Sequence, residues 1–134
     1  MKLRFASGAA VLAGLAMAAQ FSLAHHSVGG QFDEKHPVIV SGVITKVDWV
    51  NPHIYVELNA KDTAAPNGVA TWRLEGVPVA VARKAGLSKA MLLGDGETVT
   101  VQAFPARDGT PHLGFMLRLT YPDGRYFQFR PDTR

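Results

Sequence analysis

The stretch from Val38 to His53 constrains the fold more than any other part of this chain. It reads V-I-V-S-G-V-I-T-K-V-D-W-V-N-P-H, with apolar residues at even positions up to Ile44 and at odd positions from Val43 onward. Because side chains alternate in direction along a strand, such a switch requires an extra residue or a sharp bend, which we place near Gly42. A long bent strand of this kind predicts a small closed barrel.

The remainder of the chain after this stretch alternates apolar and polar residues in short runs. Further strands are predicted at 53–58, 70–75, 97–104, 113–121 and 125–129. Pro78 and Gly86 frame one short helix at 77–85, and a second short turn or helix is predicted at 87–93. Because the chain contains so little helix, parallel crossover connections are not expected.

These elements predict a mainly β fold. We expect a small five- to six-stranded antiparallel barrel over residues 38–134, with one short helix between strands three and four. This is the oligonucleotide/oligosaccharide-binding (OB) arrangement. A lipocalin-like barrel would need more strands, and an immunoglobulin-like sandwich would not contain the helix.

The N-terminus has the pattern of an export signal. Lys2 and Arg4 precede an apolar run from Ala9 to Ala19, which is too short for a stable membrane anchor. Small residues favour cleavage after Ala24, and cleavage after Ala18 is the alternative. We therefore predict a signal peptide at 1–24, an arm at 25–37 and a periplasmic or secreted location.

Composition excludes several classes of function. The chain has no Cys, which rules out disulfides, cysteine zinc sites, thiol catalysis and lipid-modified cysteine anchors. Without Lys2 and Arg4, 12 basic residues face 11 acidic ones, so a nucleic-acid partner is not expected. No second long apolar run follows the signal, so no stable membrane anchor is expected after cleavage.

Several motifs together resemble a family of small exported bacterial proteins of unknown function. They are His25-His26-Ser27, then Phe32-Asp33, then Gly42-Val43-Ile44-Thr45-Lys46-Val47, and then Trp49-Val50-Asn51-Pro52-His53. Gly94-Asp95 before strand four is also similar to that family. The resemblance implies export and a small barrel, and it suggests that the two histidine motifs belong together.

Histidines offer the sharpest chemical hypothesis, because imidazole is a common ligand of transition metals. If His25 is the mature N-terminus, its amine and ring can chelate one ion, and His26 or His53 can complete the set. A nitrogen-rich set of this kind suits copper or nickel, with Asp33 or Glu57 as acidic support. In the alternative interpretation His53 only caps its turn, and the leading histidines are solvated.

A second candidate surface lies on strands two and three, where Tyr55, Glu57 and Arg73 are predicted to share one face. This is the usual binding face of an OB barrel, although outward polar residues are normal on any barrel. Trp49 and Asn51 extend the predicted surface toward the Asn-Pro-His turn. His36 and His112 are lone loop residues, for which no role is predicted.

The sequence therefore predicts a non-enzymatic periplasmic binding protein. Its metal ligands would be His25, His26 and His53, and copper or another transition metal would be its ligand. The alternative is a module that binds a small molecule, a glycan or a periplasmic protein, with purely structural histidines. A third possibility is a copper-dependent oxidative enzyme with an N-terminal histidine, for which no acid–base or substrate-positioning group can be named.

Overall fold

The computed structural model describes residues 27–130, so the predicted signal peptide, His25 and His26 lie outside the described residues. Within that range the helices are α1 (Val28–Gln31), α2 (Val79–Lys84) and α3 (Lys89–Leu93). The strands are β1 (Val38–Trp49), β2 (His53–Lys61), β3 (Val69–Pro78), β4 (Thr98–Pro105), β5 (Leu113–Thr120) and β6 (Tyr126–Gln128). No helix within residues 27–130 is both long and apolar enough to cross a membrane.

The strands form one sheet in the order β3-β2-β1-β4-β5-β6, and β3 pairs again with β5. The first five strands therefore close into a barrel, with β6 as an additional strand on β5. This confirms the prediction of a mainly β, OB-like barrel. The helix predicted at 77–85 is α2, which begins at Val79 because β3 continues to Pro78. The second short element predicted at 87–93 is α3.

The closing pair is the exception to the predicted antiparallel arrangement. β3 and β5 run parallel from Arg73 opposite Leu113 to Glu75 opposite Phe115. Parallel neighbours need a long connection, and here α2, α3 and β4 together supply it. This pair was not predicted because its connection is not a single helix between consecutive strands.

The switch of faces in β1 occurs at a β-bulge. The register against β2 shifts between Ile44 and Lys46, and Thr45 and Lys46 are both exposed before Val47 turns inward. The extra residue therefore lies after Ile44, and the predicted position near Gly42 is wrong. β1 nevertheless bends as predicted and helps to close the barrel, since it pairs with β2 along one half and with β4 along the other.

Gly42 has a different role, which is a close backbone approach. It pairs with Ala60 of β2 and with Val99 of β4, at the point where β1 changes partners. A Cβ atom at this position would lie 2.2 Å from the carbonyl oxygen of Asn59. Any larger residue would push β1 and β2 apart at the crossing.

The barrel interior is filled by alternate residues of each strand. Ile54, Val56 and Leu58 of β2 are fully buried, as their alternation predicts. A second, smaller apolar cluster lies outside the barrel and contains Phe32, Phe104, Phe115 and Leu117. Phe32 is only 3% exposed, and its place in this cluster anchors the arm onto the barrel.

The arm is also held by backbone hydrogen bonds. The amide of Asp33 donates to the carbonyl of Pro105 at 2.8 Å, and the amide of Arg107 donates to the carbonyl of Gln31 at 2.9 Å. Glu34 adds an ion pair to Arg130 near the C-terminal end of the described residues. The arm is therefore fixed against the end of β4 from Gln31 onward.

The two short helices cover one end of the barrel. Tyr121 is buried, and its hydroxyl hydrogen is shared between the carbonyls of Met91 at 2.8 Å and Leu92 at 2.9 Å. Burial, and then the negative charge of Glu97, raise the pKa of Tyr121 to about 12. The hydroxyl thus remains a donor that fixes the C-terminal end of α3.

Candidate ligand cleft beside His53

A cleft of about 510 Å³ opens between the arm and the barrel, and we call it the arm cleft. The arm contributes Val28, Gln31 and Phe32, and β5 contributes Phe115. β2 and β3 contribute three further polar side chains, those of His53, Tyr55 and Glu75. The arm cleft therefore has an apolar part beside the arm and a polar part on the strands.

His53 and Glu75 are directly paired in this cleft. Nδ1 of His53 lies 2.6 Å from Oε1 of Glu75, and the two side chains are 34% and 15% exposed. Because Nδ1 faces the carboxylate of Glu75 at this distance, Nε2 is the ring nitrogen left for another partner. A carboxylate beside one ring nitrogen is one feature of metal-binding histidines.

The backbone near this pair is irregular. His53 lies opposite Pro78 in the β2–β3 ladder, whereas Tyr55 lies opposite Glu75. β3 therefore has one extra residue in this step, which forms a β-bulge around Gly76. Bulges commonly change the direction of side chains next to functional sites, and here the bulge lies beside Glu75.

Tyr55 is a second neighbour of Glu75. Burial raises the pKa of the Tyr55 hydroxyl, and the charge of Glu75 and a hydrogen bond to it act in the same direction. The guanidinium of Arg73 lies 4.4 Å from the centre of the Tyr55 ring and partly opposes this shift. Tyr55 is therefore held as a neutral donor beside a charged carboxylate.

The other charges on this face form a network of their own. Nη1 of Arg73 lies 3.3 Å from both Asp48 and Glu57. Nζ of Lys46 lies 3.1 Å from Asp48 and 3.7 Å from Glu57. Asp48 accepts hydrogen bonds from Lys46 and from Arg73, and these bonds lower its pKa. The structure thus brings Tyr55, Glu57 and Arg73 together, but the charges of Glu57 and Arg73 are already paired.

The acidic partner of His53 differs from the two expected from the sequence. Asp33 accepts a hydrogen bond from His36 at 2.8 Å, and Glu57 is paired as described above. Glu75 is instead the acidic residue that is paired with His53. Its outward alternation on β3 was visible in the sequence, but the bulge that brings it to His53 was not.

The two remaining surface residues lie near the cleft without lining it. Trp49 is half-buried and packs against the barrel core, and Asn51 is exposed at the turn. The peptide bond from Asn51 to Pro52 is cis. Pro52 and His53, the last two residues of the predicted Asn-Pro-His motif, are the ones that reach the cleft.

The predicted metal set is only partly within the described chain. His25 and His26 lie outside residues 27–130, and His53 is the one predicted ligand inside that range. Within the same range, no group of three or more histidine and acidic side chains is arranged to hold a metal ion. Any metal site at His53 therefore needs ligands from beyond the described part of the chain.

The fold and cleft define a small OB-like barrel with an anchored N-terminal arm. The chain belongs to the family described as Family of unknown function (DUF6152), whose model matches residues 11–115. This confirms the resemblance to a family of unknown function. No curated protein and no solved structure matches the chain significantly.

Proposed function

We propose that this protein is an exported, non-enzymatic binding protein of the periplasm that holds a transition metal ion, copper first, at the mouth of the arm cleft. Its ligands would be His25, His26 and His53. One observation carries the proposal: Val28, which follows His25 and His26 closely in the chain, lines the same cleft as His53.

Covalent geometry supports this placement. Consecutive Cα atoms are about 3.8 Å apart, so the Cα of His26 lies within about 8 Å of the Cα of Val28. An imidazole extends several ångströms further from its backbone. The short chain distance from Val28 is therefore compatible with the proposal, and Phe32 and the backbone bonds of Gln31 and Asp33 hold the described part of the arm in place.

The donor chemistry points to copper or nickel. Cleavage after Ala24 would give His25 a free amine, which can chelate an ion together with its own ring nitrogen. Nε2 of His53 would then add a third nitrogen. Nitrogen-rich sets with tetragonal geometry suit Cu(II) and Ni(II) better than calcium or magnesium.

Export is supported by the sequence pattern of the first 24 residues. A positive start, a short apolar run and small residues before His25 are the features of a secretory signal. Mass spectrometry of the mature protein, expressed with its own N-terminus, tests this step. A mature chain that begins at His25 is expected, and one that begins at Ala19 would remove the amine from the ligand set.

Calorimetric titration of copper into the mature protein tests the site itself. We expect one ion per chain, and a loss of at least about tenfold in affinity for His53→Ala, because one ligand is removed. His36→Ala and His112→Ala are the matched controls, since each removes a histidine that is paired with a carboxylate elsewhere. Equal affinity in all four proteins would contradict the proposal.

A second candidate is a site for a small organic ligand, favoured by the shape of the arm cleft. Its 510 Å³ lies within the range of roughly 300–1,000 Å³ that is usual for ligand pockets. Phe32, Phe115 and Val28 give it an apolar wall that a bare ion would not use. Metal-free protein whose melting temperature rises with oligosaccharides or small aromatic compounds would favour this function over metal binding.

A further inference from the structure

We propose that the arm cleft binds a small organic cation, a primary ammonium compound with a short apolar body, whose charged group meets the carboxylate of Glu75. This inference rests on the second candidate function, the site for a small organic ligand, and it names the chemical class of that ligand. It does not depend on metal binding.

The first step is the charge of the cleft. Among the described residues that line it, Glu75 is the one acidic residue, and none is a lysine or an arginine. His53 lies at ion-pair distance from Glu75, but a histidine offsets a carboxylate only when it is protonated. With His53 neutral, the lining of the arm cleft therefore carries a net negative charge.

The second step is the state of the cations on the neighbouring face of the barrel. Lys46 and Arg73 are paired with Asp48 and Glu57, so two positive charges there are matched by two negative ones. They leave no surplus positive charge for the cleft. A carboxylate that is only 15% exposed, such as that of Glu75, loses much of its hydration, and a cation beside it offsets that loss.

The third step is the capacity of Glu75 for hydrogen bonds. A carboxylate has sites for about four of them. Within the described chain its side-chain partners are Tyr55, whose hydroxyl donates to it, and His53, whose Nδ1 faces it. Sites on Glu75 thus remain for a ligand. A primary ammonium group suits them, because it donates several hydrogen bonds and accepts none.

The fourth step is the apolar part of the cleft. The rings of Phe32 and Phe115 lie 5.8 Å apart, centre to centre, and both line the cleft together with Val28, Pro52 and Pro78. Ligand pockets commonly combine such a wall with a few polar groups that fix the orientation of the ligand. The apolar body of an amine would leave water against this wall while its ammonium group meets Glu75.

The experiment titrates the metal-free mature protein by calorimetry with three probes of similar size, which are phenylethylamine, phenylethanol and phenylacetate. They share an aromatic body and differ in the charge of the polar group. Phenylethylamine is expected to bind at least about tenfold more tightly than phenylethanol, because hydrogen bonds between charged partners are the stronger ones. Phenylacetate is expected not to bind, since its charge has the same sign as that of Glu75.

Two substitutions assign the preference to Glu75. Glu75→Gln keeps the size of the side chain and removes its charge, so phenylethylamine should then bind no more tightly than phenylethanol. Asp62→Asn is the matched control, because Asp62 is the carboxylate partner of a different histidine, His112, and does not line this cleft. It should bind the probes as the wild type does. The order of the probes on the wild type remains decisive even if Glu75→Gln does not fold.

The outcomes separate the inference from the functions proposed above. If phenylethanol binds as tightly as phenylethylamine, and Val28→Ser weakens both, the second candidate function stands and the inference is wrong. Tightest binding of phenylacetate would also overturn the inference, because the cleft would then select an anion. If none of the probes binds, the inference and the second candidate function both fail, and copper binding is decided by its own titration.

Discussion

Two histidine–carboxylate pairs lie at opposite ends of the β2–β3 ladder, and they differ in what surrounds them. The cleft pair joins His53 to Glu75 at 2.6 Å and lines the arm cleft. The loop pair joins His112 to Asp62 at 3.3 Å, where β2 has ended. The residue types are the same, so their surroundings decide which pair is a candidate site.

The loop pair is explained by the fold. His112 has a positive φ of 56°, its ring meets Trp72 edge-on at 5.4 Å, and its carbonyl accepts the amide of Arg73 at 2.8 Å. These contacts fasten the β4–β5 loop onto β3. The cleft pair lies beside a bulge, next to the arm that leads to two further histidines. A histidine with several fold-building contacts is thus the weaker candidate for binding.

The largest expected effect comes from Gly42→Val, which acts on β2, the strand that runs from one pair to the other. The new side chain would meet the backbone of Asn59, which cannot move aside, so we expect a loss of about 3 kcal/mol in unfolding free energy. Urea denaturation measures this loss. Ser41→Val places the same side chain at the exposed neighbouring position, and it should cost less than about 1 kcal/mol. An unchanged stability for Gly42→Val would refute the close approach at this crossing.

The next effect separates the two pairs through the arm. Phe32→Ala removes the anchor from its apolar cluster and should cost about 3 kcal/mol. Under the proposed function copper affinity should fall with it, because the arm would no longer be fixed beside the cleft pair. Ile39→Ala truncates a side chain that is 74% exposed, and it should change neither quantity. Full copper affinity in a folded Phe32→Ala protein would show that the arm does not organise the site.

A smaller effect is expected when His112 and His53 are each replaced by glycine and by alanine. At position 112 glycine should be more stable than alanine by roughly 0.5–1 kcal/mol, because only glycine adopts a positive φ without cost. At position 53 the order should reverse, since glycine weakens a strand by a similar amount. Chemical denaturation of the four variants measures both differences. The same order at both positions would contradict the backbone contrast between the pairs.

The smallest effect concerns the ionic network between the two pairs. The pKa of Asp48 is lowered from its ordinary value of 3.8, chiefly by its hydrogen bond from Lys46. The stabilisation that Asp48 provides is therefore present above pH 3.8 and is lost as the pH falls through the lower folded-state pKa. Asp48→Asn should reduce the loss of stability on acidification, and melting curves between pH 5 and pH 2 would detect it. Identical acid profiles for the two proteins would mean that this network does not contribute.

Much of the fold could be predicted because local patterns determine it. The long strand that begins at Val38 and the buried residues of β2 both follow from apolar periodicity. The bulge after Ile44 was harder to place. We placed the bend near Gly42 because glycine often marks bends. Glycine occupies this position instead because the carbonyl of Asn59 leaves no room for a side chain.

The candidate site was less predictable because it depends on contacts between distant segments. The sequence identified His53 but assigned it to Asp33 or Glu57, since the register of β3 around Gly76 cannot be read from alternation alone. The parallel closure of β3 on β5 was missed because its connection is not one helix between consecutive strands. Local patterns identify strands, but packing decides which strands become neighbours.

The most direct test of the account is a crystal structure of the copper-loaded mature protein with anomalous diffraction at the copper edge. We expect one copper peak in the arm cleft, at roughly 2.0–2.1 Å from Nε2 of His53, as is usual for imidazole–metal bonds. Nδ1 of His53 should remain within ion-pair distance of Glu75. A copper peak at His36 or His112, or an arm cleft without copper, would contradict the account.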